Sequence, residues 1–175
     1  MTRKDASQLA RLGITIGAAY VFLKGLTRPP ALTLLRALWR AGHETWGELP
    51  LPPAGRVSVA VDADIDPGYY TAIGFPVTGP RAIRVDMLDR LIARLRRATI
   101  QGTMPPDPTI PQVLGCSRDE ADRVLAALGW ARREAEGVVS YRRQRSVPPR
   151  RRRVPPLTHD DRSPFAVLKQ LSVAK

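Results

Sequence analysis

Guanidinium groups are the most chemically distinctive side chains in this sequence. Arg142, Arg143, Arg145, Arg150, Arg151, Arg152 and Arg153 supply seven positive charges with no acid among them. A second set, Arg90, Arg94 and Arg97, repeats at the spacing of one helix face. Arginine stays protonated at physiological pH, and its planar fork of donors fits phosphate oxygens. Both sets therefore point to a polyanion contacted through its backbone. The plainer reading of the 90–97 stripe is a solvated helix face.

The remaining reactive groups do not assemble into a site. Asp62, Asp64 and Asp66 alternate as in a calcium loop. Pro67 then stands where that loop needs its turning glycine, and Ile73 where it needs a bidentate glutamate. Cys116 precedes a helix start, which can acidify a thiol, but no base stands in a motif relationship to it. His43 and His159 are far apart and lack ligand partners. No glycine-rich phosphate loop ending in Lys-Ser/Thr occurs, and no acidic box follows a strand. The expectation is a chain without catalysis of its own, with no cofactor, no metal and no small-molecule substrate.

Composition agrees with a polyanionic partner. The 175 residues carry 28 Lys+Arg against 16 Asp+Glu, a net charge of +12, and the isoelectric point is near 11.1. Such a balance favours nucleic acid or an anionic surface. A single cysteine excludes an internal disulfide framework. The apolar run Leu12–Leu23 resembles the core of a signal peptide, but it is shorter than the ~20 residues of a membrane span. Lys24 and Arg28 follow at once, so it reads as a buried strand and turn. The expectation is a cytoplasmic protein with no membrane contact.

These groups need elements to hold them. Residues 5–12 read as a helix capped by Asp5 and stopped by Gly13. Pro29 or Pro30 opens a second helix to about Ala41, with Ala31, Leu34, Leu35 and Leu38 as its inner face. A proline-rich connector at 47–56, a strand at 57–61 and a helical turn at 68–73 follow. Leu88, Leu91, Ile92 and Leu95 mark a helix over 86–98, with Asp86 as its cap. Residues 102–108 read as a linker. Beyond it come a short helix near 108–114 and a break at Leu114–Ser117. A helix from 118 then starts behind a Ser117/Glu120 capping box, with Ala121, Val124, Leu125 and Leu128 inward. Segments 130–133 and 138–143 pair as a hairpin around 134–137.

The fold class is therefore α+β, mainly helical, with a small winged-helix-like unit and a disordered basic C-terminal tail. The divisions are 1–101, a mixed helix/strand accessory domain; 107–145, the winged-helix-like unit; and 146–175, a tail rich in arginine and proline. Proline pairs in the tail exclude helix there, while 163–171 reads as a short terminal helix. The helix from 118 exposes Asp119, Glu120 and Asp122, which opposes its insertion into a DNA groove.

Five segments carry a family resemblance: ARLGITIGAAYVFL near 10–23, PGYYTAIGF at 67–75, GPRAIRVDMLDRL at 79–91, LGCSRDEADRVLAALGW at 114–130 and SPFAVLKQL at 163–171. In that order they resemble the C-terminal region of alphaproteobacterial superfamily 2 (DExH-type) RNA helicases related to the mitochondrial degradosome helicase. The resemblance implies an ATP-dependent motor upstream, absent here, and a region that packs on it and helps form the RNA channel. It implies RNA and a helicase motor or RNA-degradation partner as ligands. An adaptor docking on such a complex is the alternative, and a DNA-binding winged-helix regulator the weaker one.

Overall fold

Hydrophobic period and glycine punctuation set most of the elements. The computed structural model describes residues 3–43, 47–135 and 137–144. Arg145, Arg150–Arg153 and the helix expected at 163–171 lie outside the described residues.

Helix α1 (Arg3–Arg11) begins before Asp5, which therefore does not cap it, and ends at Gly13 with φ 77°. The apolar run that follows is an antiparallel hairpin of β1 (Ile14–Ile16) and β2 (Val21–Leu23). It is not buried as expected: Leu12 and Val21 are 69% and 68% exposed. Strand alternation sends successive side chains to opposite faces. A two-stranded hairpin covered on one side must leave half of a wholly apolar run in water.

A 3-10 turn (Lys24–Thr27) leads into α2 (Pro29–Gly42), which carries its two prolines in the tolerated first turn. Its inner face is rotated from the expected one. Leu32 is buried, and Leu35 and Trp39 pack on the core, while Leu34 and Leu38 are exposed. Residues 32, 35 and 39 share a face by i, i+3, i+7 spacing. Trp39 decides the rotation: its ring meets Tyr69 edge-on at 6.1 Å and stacks on His43 at 3.7 Å. The largest apolar side chain gains most by burial.

Strand β3 (Ser58–Ala60), helix α3 (Pro67–Ala72) and strands β4 (Val77–Thr78) and β5 (Arg81–Ile83) complete the first core. The sheet order is β3-β5-β4, all antiparallel. Tyr69, Tyr70, Ile73, Phe75 and Ala82 fill it together with Leu32 and Leu49.

A second core follows, made of α4 (Val85–Ala98), β6 (Thr103–Met104), α5 (Ile110–Leu114), α6 (Arg118–Ala127), β7 (Trp130–Ala135) and β8 (Val138–Arg143). Its sheet order is β6-β8-β7. The elements of this core run helix, strand, helix, helix and hairpin, and the chain as described is α+β and mainly helical. The segment expected as a linker at 102–108 contains β6 and separates no cores. Leu88, Leu91, Ile92 and Leu95 of α4 share one cluster with Ile110, Leu114, Val124, Leu125, Trp130 and Tyr141. The changeover lies in β5 instead, with Ala82 in the first core and Ile83 in the second. Two short helices and a hairpin cannot cover their own apolar faces, so α4 is their third side.

The break before α6 forms as its residues dictate. Gly115 takes the left-handed conformation at φ 64°. Ser117 and Glu120 make the reciprocal capping box. Asp86 does not cap α4; it lies in the first turn and holds Arg84 through contacts of 2.6 and 3.0 Å. Arg81 joins the two cores. It donates to Ser58 Oγ at 2.8 Å and to Glu120 Oε1 at 3.0 Å, while Ser58 Oγ donates to the Leu114 carbonyl at 2.5 Å. No helix among the described residues is long and apolar enough to cross a membrane.

Candidate nucleic-acid interface

The β7–β8 hairpin positions four arginines, and its register sorts them. Trp130 pairs with Arg143, Ala131 with Arg142, Arg132 with Tyr141 and Arg133 with Ser140. Directly paired residues share a face, and neighbours along a strand alternate. Trp130, Arg132, Tyr141 and Arg143 therefore lie on the face toward the core. Ala131, Arg133, Ser140 and Arg142 lie on the outward face.

Each inward residue has a partner. Trp130 and Tyr141 are buried. The Trp130 indole N–H donates to Thr99 Oγ1 at 2.9 Å, which ties the hairpin to the end of α4. Tyr141 donates its hydroxyl to Asp122 at 2.5 Å. Burial, reinforced by Asp122, pushes the Tyr141 phenol up to about 12, so it stays a neutral donor. Arg132 bonds Glu134 at 3.0 Å and approaches Asp122 at 3.8 Å. The Arg143 guanidinium lies over the Trp130 ring, 5.6 Å from its centroid, a cation–π contact.

The outward face is different. Arg133 and Arg142 are exposed and sit as diagonal neighbours across the ladder. The ion pairs and side-chain hydrogen bonds of the described residues leave both guanidinium groups unengaged. With Ala131, Arg143 and Gln144 they line a shallow concavity of about 180 Å³. Small neighbours leave the guanidinium groups accessible, and no acid or aromatic ring stands among the described outward residues. Such a face can hold phosphate oxygens by charge-assisted hydrogen bonds but offers no platform for stacking bases.

The expected α4 stripe does not form a common site. Arg94 is paired with Asp107 and donates to Thr109 Oγ1 at 2.9 Å. Arg97 turns back to the Ala93 carbonyl at 3.3 Å, and Arg90 lies 3.8 Å from Met87 Sδ. Arg90 and Arg97 are exposed; Arg94 already has its anion. On α6, Asp119 is exposed beside Arg118 and Arg123, while Glu120 and Asp122 are held by Arg81 and Tyr141. Of the arginines singled out from sequence, Arg142 lies on the outward face, and Arg143, held over Trp130, borders the concavity. Arg133 escaped notice. Period-two counting from buried Trp130 would have placed it outward once the hairpin turn was set at 136–137.

The remaining reactive groups have local roles. Burial pushes the Cys116 thiol up, against an opposing pull from Arg81. Asp62 and Asp66 accept from the amides of Asp64 and Gly68, at 3.0 and 2.7 Å, and serve local turns. Among the described residues, no group of three or more His, Cys, Asp or Glu could hold a metal ion.

No protein-family model, no curated protein and no solved structure matches the chain.

Proposed function

We propose that this chain is a non-catalytic RNA-binding accessory region that works in the cytoplasm beside an ATP-dependent helicase motor carried elsewhere. The observation that carries the RNA reading is the outward hairpin face, where Arg133 and Arg142 stand exposed and take part in none of the ion pairs of the described residues. An exposed guanidinium pair of this kind suits phosphate oxygens. The net charge of +12 supports the same partner. The placement beside a motor rests on the resemblance of the five segments to helicase C-terminal regions. Readout of DNA bases by α6 is disfavoured, because exposed Asp119 would face phosphate.

The test is fluorescence anisotropy with single-stranded RNAs of equal length and different sequence. Phosphate contact predicts affinities that agree within about tenfold, since true base readout discriminates by ~1–3 kcal/mol per base. A larger preference for one sequence, no binding to RNA at low salt, or ATP turnover by the purified chain would contradict the reading.

A further inference from the structure

We infer that the apolar groove between the β1–β2 hairpin and α2 docks an acidic amphipathic segment of a partner protein. This inference stands apart from the RNA reading and uses different residues.

The groove has a volume of about 430 Å³ and is lined by Tyr20, Val21, Leu23, Leu26, Leu35 and Pro76 among others, with no charged side chain. Val21, Leu23 and Leu26 are both lining and exposed. Among the described residues, the large exposed apolar side chains other than Ile100 and Val138 fall within residues 12–38, and three of them, Val21, Leu23 and Leu26, line the groove. Apolar surface concentrated in this way marks an interaction site, whereas scattered apolar residues do not.

The hairpin cannot fold inward to hide this surface. Asp89 on α4 accepts from the amides of Ala18, Ala19 and Tyr20 at 3.0, 2.8 and 3.1 Å. Arg96 donates to the Ala18 carbonyl at 2.5 Å. The turn is thus clamped, and the outer strand face is presented pre-formed. Pre-organisation of this kind lowers the entropic cost of association.

Charge selects the occupant. Residues 6–43 contain no Asp or Glu, while Arg11, Lys24 and Arg28 flank the lining strands and turn. All three cations are exposed, and the ion pairs of the described residues involve other side chains. A second copy would bring the same cations against this rim and be repelled. A bilayer is flat and would leave the concavity unfilled. A small molecule would find no convergent polar groups to orient it. A helix or extended segment with apolar anchors and flanking carboxylates satisfies both the groove and its rim.

The experiment titrates the full chain against a labelled amphipathic peptide of about five helical turns, with leucine along one face and glutamate beside it. A matched peptide has lysine in place of glutamate. The acidic peptide is expected to bind, more weakly as salt rises, and the lysine peptide about tenfold or more weakly still. Val21→Ser with Leu26→Ser should weaken the acidic peptide by about tenfold or more, through lost apolar contact. Ile100→Ser, exposed but outside the groove, should not. Lys24→Glu with Arg28→Glu, both at exposed positions, should reverse the peptide preference. RNA affinity should survive the Val21/Leu26 change, so a failure here leaves the RNA reading intact. Equal binding of both peptides, or full binding by the Val21/Leu26 variant, overturns the inference. So do dissociation of a dimer by that variant, or its loss of binding to phosphatidylserine vesicles.

Discussion

Asp89 is only 8% exposed and spends its acceptors on three consecutive amides some 70 residues away in the chain. Burial opposes its ionisation. The amides of Ala19, Ala18 and Tyr20, helped by Arg96, outweigh burial and hold the carboxyl below the usual carboxylate range. A depressed carboxyl pKa contributes stability that is present at neutral pH and lost as pH falls through the folded-state value. Asp89→Asn should therefore cost about 2 kcal/mol at pH 7, the worth of hydrogen bonds to a charged acceptor. In urea unfolding, its gap from wild type should narrow below about pH 4, where ordinary carboxyls protonate. A gap that stays constant into strong acid would show that the clamp does not depend on charge. Gly17 reports on the same clamp: a Cβ there would lie 2.1 Å from Asp89 Oδ2. Gly17→Ala is expected to destabilise the native chain and to lose most of that effect in the Asp89→Ala background, as judged by a double-mutant cycle. Full additivity would contradict the contact. Neither residue could be found from sequence, because Gly17 and Asp89 obey no local rule. Only the folded chain brings them together. Ser117 and Glu120 were legible because their chemistry spans a single helical turn.

At the scale of elements, local period succeeded where one face dominates. The α4 stripe Leu88, Leu91, Ile92 and Leu95 and the α6 residues Ala121, Val124 and Leu125 are buried as the sequence pattern indicates; Leu128, expected with them, is half-buried. It failed on α2, where leucines lie on more than one side and Trp39 chooses among them. It also failed at the hairpin, where apolar residues on both strand faces gave no sign of which would be wet. The consequence can be measured. Leu125→Ala should cost roughly 2–5 kcal/mol, the range for a buried leucine whose cavity does not collapse. Leu34→Ala, on an exposed side chain, should stay within about 0.5 kcal/mol. Denaturant midpoints at constant m-value give both numbers. Comparable losses at the two sites would mean that the α2 face is buried against something after all.

Over the whole molecule, two cores meet at β5 and are fastened by Arg81. Glu120 serves both as a capping residue and as the anion for Arg81. The Ser117 amide, with Arg81 and the Ser117 hydroxyl after it, holds its carboxyl below the ordinary range. The excess of positive charge was legible from composition, but its placement was not. Arg94 is exposed with Arg90 and Arg97, as a solvated face requires, but it is also paired with Asp107, a residue in the segment expected to be a linker. Arg133 was hidden among mixed charges until the register of β7 against β8 turned it outward. Each phosphate neutralised on single-stranded nucleic acid adds about 0.7 to the slope of log affinity against log salt. On that basis, replacing Arg150, Arg151, Arg152 and Arg153 by Ser should flatten the slope by up to about 2.8 if all four touch phosphate. The hairpin pair gives the sharper test, because its geometry is defined. The deciding measurement is the salt dependence of single-stranded RNA affinity for wild type and for Arg133→Ser with Arg142→Ser. Phosphate contact by both arginines predicts a slope shallower by about 1.4 and weaker binding to every sequence alike; an unchanged slope would contradict the assignment of the hairpin face as the RNA site.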